Sequence, residues 1–365
     1  MMTSRTHHLP QKLFAAAAGA LLLASGLAKA GGDYLLATAS TGGTYYPVGV
    51  ALSTLVKVKL QPGDGINLSA INSAGSAENI KLMRDNESQF AILQGLYGSY
   101  AWNGSGPLAE EGPQTELRAV TMLWQNVEHF LARREYVKTG TMADIAGMQG
   151  KGASFGKRNS GSIGSSRALL AGLGIDLDDF FDVFYGGYGA ATDALQDGKV
   201  DLTNTPAGVP VGAVTKAFAA IGDEIALLNF TPEEAEQADA GLGLWTPYLI
   251  PADTYPGQEA DVNTIAQPNF LAVRADVPAE DVYLITKTIY ENLGFLQAIH
   301  KATDAMALHK AIAGLPMPLH PGAARYFMEA GLDVPSTLLA DRATGRAQPP
   351  VTDQAEPRIS ANAVN

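Results

Sequence analysis

The chain of 365 residues contains no cysteine. That absence excludes a disulfide framework, a thiolate metal site, a cysteine nucleophile and a lipidated N-terminal cysteine. Histidine is scarce as well. Beyond residue 30 only His129, His300, His309 and His320 occur, none in an H-x-x-x-H or H-E-x-x-H arrangement, so no zinc site is expected. Positive charge is also short, with 25 Lys+Arg against 37 Asp+Glu and a net charge of −12. The far field of such a chain repels phosphate, so neither nucleic acid nor an anionic membrane is an expected partner. After residue 30 no apolar run reaches the ~20 residues needed to span a bilayer.

Catalytic signatures are equally thin. Gly152-Ala153-Ser154-Phe155-Gly156 carries the letters of G-x-S-x-G. A nucleophile elbow needs its serine on the turn between strand and helix, whereas Ser154 falls inside a predicted strand. Asp176, Asp178 and Asp179 lack the Gly and Glu spacing of a calcium loop. No glycine-rich stretch matches a phosphate loop with its lysine or the dinucleotide fingerprint. No cofactor, no metal and no catalytic residue is expected, and the reading favours binding over catalysis.

The first 30 residues have the form of an export signal. Arg5, His7, His8 and Lys12 make a basic start, 13–23 is apolar and alanine-rich, and Ala28-Lys29-Ala30 offers small residues at the −3 and −1 positions of a cleavage site. Its removal would take away three cations and no acid, moving the net charge from −12 to −15. The expected location is the periplasm.

From residue 33 a strand-then-helix rhythm begins, which implies βαβ units and mostly parallel sheet. Strands are predicted at 34–39, 66–71 and 89–93, with helices at 47–58 and 77–84. Two successive strands, 117–123 and 128–133, break the rhythm and suit a crossover between lobes. It resumes with strands at 152–155, 181–185, 200–203 and 224–230 and helices at 162–173, 190–196 and 211–220, several stopped by glycine. An extended run at 263–273 leads to a long amphipathic helix predicted over 279–298, with Pro278 at its start. Residues 341–365 are polar, proline-bearing and without period, and read as a disordered tail. The organisation is a clamshell of two α/β lobes, 31–126 plus 272–340 and 127–271, with two crossings around a central cleft.

The informative residues lie where strand turns into helix. Four joints combine glycine with hydroxyl and amide side chains: 40–47, 72–76, 94–95 and 156–162. Ser, Thr and Asn are ordinary N-caps, so one such joint means little. The same chemistry at four joints in both lobes suits a carboxylate held by backbone N–H groups and helix dipoles. Lys157 and Arg158 stand ready to add local positive charge. Tyr45, Tyr97, Trp102, Trp124, Tyr185 and Tyr188 are core or rim by default, with one or two near the joints placed to wall the cleft.

Ser40-Thr41-Gly42-Gly43-Thr44-Tyr45-Tyr46-Pro47 resembles the first motif of the TAXI-type solute-binding proteins of TRAP transporters. Ser76-Ala77-Glu78-Asn79-Ile80, Phe90-Ala91-Ile92-Leu93-Gln94 and Asp197-Gly198-Lys199-Val200-Asp201 fit the same family. So do Thr254-Tyr255-Pro256-Gly257-Gln258 and Asp281-Val282-Tyr283-Leu284-Ile285-Thr286-Lys287, and the similarity covers roughly 33–332. The resemblance implies a type II periplasmic-binding-protein fold delivering a small organic acid, a dicarboxylate or acidic amino acid, to a sodium-coupled TRAP permease. Carried over residue by residue, it implies ligand contacts at Thr41, Gly43, Thr44, Tyr45, Asn72, Ser73, Ser76 and Gln94 from one lobe. From the other lobe it implies Ser160, Gly161 and Ser162. A monomer is expected. At that last joint the family usually shows Pro-Gly-Ser-Gly-Thr, whereas this chain has Arg158-Asn159-Ser160-Gly161-Ser162, so ligand identity does not transfer. The alternatives are an ABC-type binding protein for a small anion such as a sulfonate or phosphonate, and an exported enzyme on the same scaffold.

Overall fold

The computed structural model describes residues 31–339. The export signal expected at 1–30 and the disordered tail expected at 341–365 lie outside the described residues. The expected rhythm is present: β1 (Asp33–Ala37), α1 (Tyr45–Asp64), β2 (Asn67–Ile71), α2 (Ser76–Arg84) and β3 (Phe90–Gln94) follow one another. Next comes α3 (Gly95–Asn103), which the pattern does not announce because Gly95 and Gly98 weaken its helical character. The two successive strands are β4 (Leu117–Val127) and β5 (Phe130–Arg133).

The second half-molecule runs β6 (Gly152–Ser154), α4 (Gly161–Gly172), α5 (Leu177–Phe180), β7 (Asp182–Val183) and α6 (Tyr188–Gln196). It continues through β8 (Leu202–Asn204), α7 (Gly212–Ile221), β9 (Ile225–Leu227) and α8 (Pro232–Asp239). The chain then returns with β10 (Thr246–Ile250), β11 (Val262–Arg274), α9 (Ala279–Glu291), α10 (Leu293–Ile299) and α11 (Pro321–Glu329). The single long helix expected over 279–298 is two helices. At Asn292 the backbone leaves the helical region (φ −130°), and its amide donates to the Thr288 carbonyl at 2.8 Å.

Two sheets result. The first has the order β10-β11-β3-β1-β2, with β4 also paired to β11; β1 is parallel to β2 and β3, and β11 is antiparallel to its partners. The second is β7-β6-β8-β5-β9. One apolar core covers the first sheet, built around Leu36, Leu52, Phe90, Phe270 and Phe327. Two more flank the second, one around Phe130, Phe155 and Leu170, the other around Leu195, Val214 and Tyr255. Among the described residues no helix is long and apolar enough to cross a membrane.

The chain passes between the sheets twice. The first crossing is the short link Glu128-His129 between β4 and β5; the second lies at 240–245, between α8 and β10. The return comes earlier than the 271/272 division suggested by the sequence, because β10 and β11 pair as antiparallel neighbours within the first sheet.

Both crossings meet at one buried carboxyl. Glu128 is 1% exposed; it accepts from Asn204 Nδ2 at 2.7 Å and from the indole N–H of Trp245, on the second crossing, at 3.2 Å. Beside it, the His129 Nδ1–H donates to the Val127 carbonyl at 2.8 Å, and Nε2 accepts from the Tyr255 hydroxyl at 2.7 Å. Burial pushes the Glu128 carboxyl up to about 7 and the His129 imidazole down to about 4, so the histidine sits there neutral.

Candidate functional site

At the joints where strands give way to helices, the orphan N–H groups of a first helical turn point away from the sheet. Four such turns meet between the two sheets. α1 begins after Thr44 and α2 after Gly75, from the first sheet; α4 begins after Ser160 and α6 after Gly187, from the second. Two glycines make these turns possible. Gly75 (φ +122°) and Gly156 (φ +117°) occupy backbone conformations that other residues avoid, and a Cβ on Gly156 would fall 2.2 Å from Ser162 Oγ.

The four turns enclose a cavity of about 30 Å³. That space holds little more than a water molecule, so the two halves are closed and must part to admit a larger solute. Direct bonds across the seam hold them together. Gln94 Nε2 donates to the Gly161 carbonyl at 2.9 Å, and the Thr44 hydroxyl both donates to and accepts from the Gly208 backbone at 3.1 Å. The Ala213 N–H reaches the Gly42 carbonyl at 3.3 Å. Behind Gln94 runs a polar chain: Asn126 Nδ2 donates to Gln94 Oε1, Asn269 Nδ2 donates to Asn126 Oδ1, and the Tyr45 hydroxyl donates to Asn269 Oδ1.

Of the residues expected at the site, Gly43, Thr44, Tyr45, Ser76, Gln94, Gly161 and Ser162 line this cavity. The other four stand at the same joints but do not line it. Thr41 is exposed. Asn72 is exposed, and its amide donates to the Ala39 carbonyl at 2.8 Å. Ser73 is buried, its one hydroxyl proton within reach of both the Thr38 carbonyl at 2.9 Å and Asn79 Oδ1 at 2.6 Å, while its oxygen accepts from the Gly75 N–H. Ser160 caps α4, accepting from the Ile163 N–H at 3.3 Å, and its hydroxyl lies 2.9 Å from that of Ser162.

The cavity also has residues outside that set: Ser40, Asn126, Lys157, Gly187, Tyr188, Pro206 and Ala207. The run Tyr185-Gly186-Gly187-Tyr188 is a fifth glycine-bearing joint and was a usable signal. Asn126 lies within a strand and carries no local mark. Tyr188 donates its hydroxyl to the Pro206 carbonyl at 2.7 Å; burial raises the pKa values of both Tyr45 and Tyr188, which keeps these phenols neutral.

Lys157 is the one charged side chain lining the cavity. Its ammonium lies 3.4 Å from the Ser73 carbonyl and enters no ion pair among the described residues. Four positive helix ends and one ammonium, with no carboxylate on the wall, make an environment for a small anion. Ser154 is fully buried, its hydroxyl donating to the Phe184 carbonyl at 2.8 Å, and no cluster of His, Asp or Glu that could hold a metal occurs among the described residues.

Several solved structures resemble this one. MatC from Rhodopseudomonas palustris with bound malate matches with a TM-score of 0.51 at 14% identity, over 81% of this chain and 97% of that one. The alkanesulfonate-binding protein SsuA from Xanthomonas axonopodis pv. citri, bound to MOPS, matches at 0.44 and 15%, over 81% and 83%. PhnD1 from Prochlorococcus marinus in complex with methylphosphonate matches at 0.47 and 11%, over 75% and 90%. At 14% identity the likeness to MatC concerns the fold alone. Two α/β lobes, a cleft between them and two crossings constitute the type II periplasmic-binding-protein fold. In sequence, residues 36–331 match the model of the NMT1-like family. The chain belongs to the NMT1-like family.

Proposed function

We propose that the protein is an exported solute-binding protein that captures a small organic acid in the interlobe cleft and hands it to a sodium-coupled TRAP permease. A dicarboxylate or an acidic amino acid is the ligand class, and the protein acts as a monomer in the periplasm without catalysing a reaction. The observation that carries this reading is the cavity itself. Two helix N-termini from each sheet and the Lys157 ammonium surround one small space, with no acidic side chain on its wall. An acid held between these turns, with the halves parted enough to seat it, touches both of them, so its differential affinity favours closure around it. The malate carried by MatC belongs to the same ligand class.

The test uses protein purified under denaturing conditions, to strip carried-over solute, and refolded. Its melting temperature is measured against carboxylates, acidic amino acids, alkanesulfonates and phosphonates. A true ligand at a hundred times its Kd stabilises the fold by about 2.7 kcal/mol. Stabilisation by a carboxylate, with the acid recovered unchanged, supports the reading. Stabilisation by sulfonates or phosphonates alone replaces it with the ABC-type one, and turnover of the acid replaces it with an enzyme. Transport in proteoliposomes driven by a sodium gradient, and indifferent to ATP, identifies the permease class.

Lys157→Met sharpens the test. A hydrogen bond to a charged group contributes about 1.5–3 kcal/mol, so calorimetry is expected to show affinity for the acid falling at least about tenfold. Unchanged affinity would remove Lys157 from the site.

A further inference from the structure

The ligand cavity is rich in hydrogen-bond donors and poor in free acceptors. The N–H groups of Tyr45, Ser76, Ser162 and Tyr188 belong to first helical turns, where no carbonyl of their own helix reaches them, and all four residues line the space. Lys157 adds three N–H groups and a full positive charge. Its neighbour Arg158 lines a different hollow, between α2 and α4, and lies over the Tyr185 ring at 3.7 Å.

The acceptors on the wall are already engaged, most of them inside one half. In the first half the Ala39 carbonyl takes the Asn72 amide at 2.8 Å, and the Gly75 carbonyl takes the Asn79 N–H at 2.9 Å. In the second the Gly187 carbonyl takes the Ala191 N–H at 2.9 Å, and the Pro206 carbonyl takes the Tyr188 hydroxyl at 2.7 Å. The amide side chains are ordered in the same sense. A backbone carbonyl can only accept, so the Gly161 carbonyl turns the Gln94 nitrogen to the seam and leaves the Gln94 oxygen to Asn126. Asn126 gives its oxygen to Asn269 in turn, and the Tyr45 hydroxyl closes the series. Every amide oxygen in it accepts a bond, while the Gln94 and Asn126 nitrogens each keep a second N–H. Parting the halves to seat a solute breaks the Gln94–Gly161 bond, which releases one donor along with one acceptor and leaves the bonds within each half in place.

We propose that the site selects acids that carry no ammonium group, so that the solute is a dicarboxylate and acidic amino acids are excluded. This deepens the solute-binding reading above and rests on it. A carboxylate only accepts, and so matches the wall. An α-ammonium brings three donors and a second positive charge to a space that already holds Lys157 and four positive helix ends. No carboxylate lines the cavity to balance it; Glu78 accepts from the Ala74 N–H but is not part of the lining. The hydroxyls of Ser40 and Ser162 can accept from an ammonium, yet they bring no negative charge. A buried cation without an anion beside it is unfavourable, because it loses its water and gains nothing of equal strength.

Calorimetry on protein stripped of carried-over solute compares acids that differ only by an amino group: succinate against each enantiomer of aspartate, and glutarate against each enantiomer of glutamate. Any other carboxylate that raises the melting temperature is paired with its 2-amino derivative in the same way. The amino acid of a pair is expected to bind at least about a hundredfold more weakly than the plain acid. Asn126→Asp places a carboxylate on the wall, and the preference for the plain acid should fall at least about tenfold in it. That ratio, unlike either affinity alone, does not respond to a simple loss of packing. If the variant does not fold, the wild-type pairs still decide. An amino acid that binds wild-type protein as tightly as its plain partner overturns the selection and leaves the solute-binding reading standing. An unchanged ratio in folded Asn126→Asp protein overturns the wall as the source of the selection. Binding of no carboxylate at all overturns the solute-binding reading, and the selection with it.

Discussion

Replacing Gly161 with valine is expected to abolish tight binding of the acid while leaving the unliganded protein folded. A Cβ at this position would lie 2.9 Å from both Gln94 Cδ and Ser76 Oγ, across the seam. Neither can withdraw freely. Ser76 Oγ accepts from the Gln94 N–H at 3.1 Å, and the Gln94 side chain is held by the Gly161 carbonyl on one side and Asn126 on the other. Valine therefore acts as a wedge at the first turn of α4, where the open form has room for it. Each 1.4 kcal/mol lost from closure lowers affinity tenfold, and loss of the Gln94 bond together with the clash should exceed about 3 kcal/mol, a hundredfold effect. Calorimetry measures the affinity, and small-angle scattering should show the variant keeping its open dimensions when acid is added. Wild-type affinity in Gly161→Val would mean that Gly161 does not approach Gln94 and Ser76 when the halves close on the ligand.

The second large effect concerns pH and the carboxyl where the two crossings meet. Burial raises Glu128 to about 7 in the folded protein, even though Asn204, Trp245 and Gln267 favour its ionised form; unfolded, it titrates at the ordinary 4.5. Between those values the folded state binds the extra proton, so stability falls as pH rises from about 4.5 to 7 and is flat above. The loss amounts to about 3 kcal/mol at 1.36 kcal/mol per pKa unit. His129 and His320 oppose it. Both are buried and pushed down to about 4, so the unfolded chain takes up their protons first and stability is lost as pH falls from 6.5 towards 4. Glu128→Gln removes the first effect and keeps the second. Its melting temperature minus that of wild type should therefore rise by several degrees between pH 4.5 and 7.5. A difference that stays level with pH would show that Glu128 carries no raised pKa.

The site divides cleanly into what local chemistry announces and what it does not. Gly43, Thr44, Ser76, Gln94, Gly161 and Ser162 are legible because a glycine, a small polar residue and a helix start mark a strand-to-helix joint from sequence alone. Which residue of a joint faces the cavity is not legible. Ser73 and Ser76 are three apart and chemically alike, yet one hydroxyl is spent on Thr38 and Asn79 inside the first half while the other stands at the seam. Asn126 and Ala207 reach the site through pairings made far along the chain: β4 lies against β11, and Val127 bridges to Ala207. β10 is not legible in the sequence because Pro247 interrupts its pattern and Thr246, Pro247 and Leu249 are exposed, as an edge strand permits.

Periodicity and turn chemistry, which act over a few residues, suffice to determine the alternating strands and helices, the two-part organisation and the four polar joints. The direction each joint faces, the separation of Lys157 from Arg158 onto two different hollows, and the gathering of both crossings on Glu128 were decided only by the tertiary structure. Those depend on how two sheets rotate against one another and on contacts between residues more than a hundred apart, such as Glu128 with Trp245. No spacing along a chain encodes such contacts by itself.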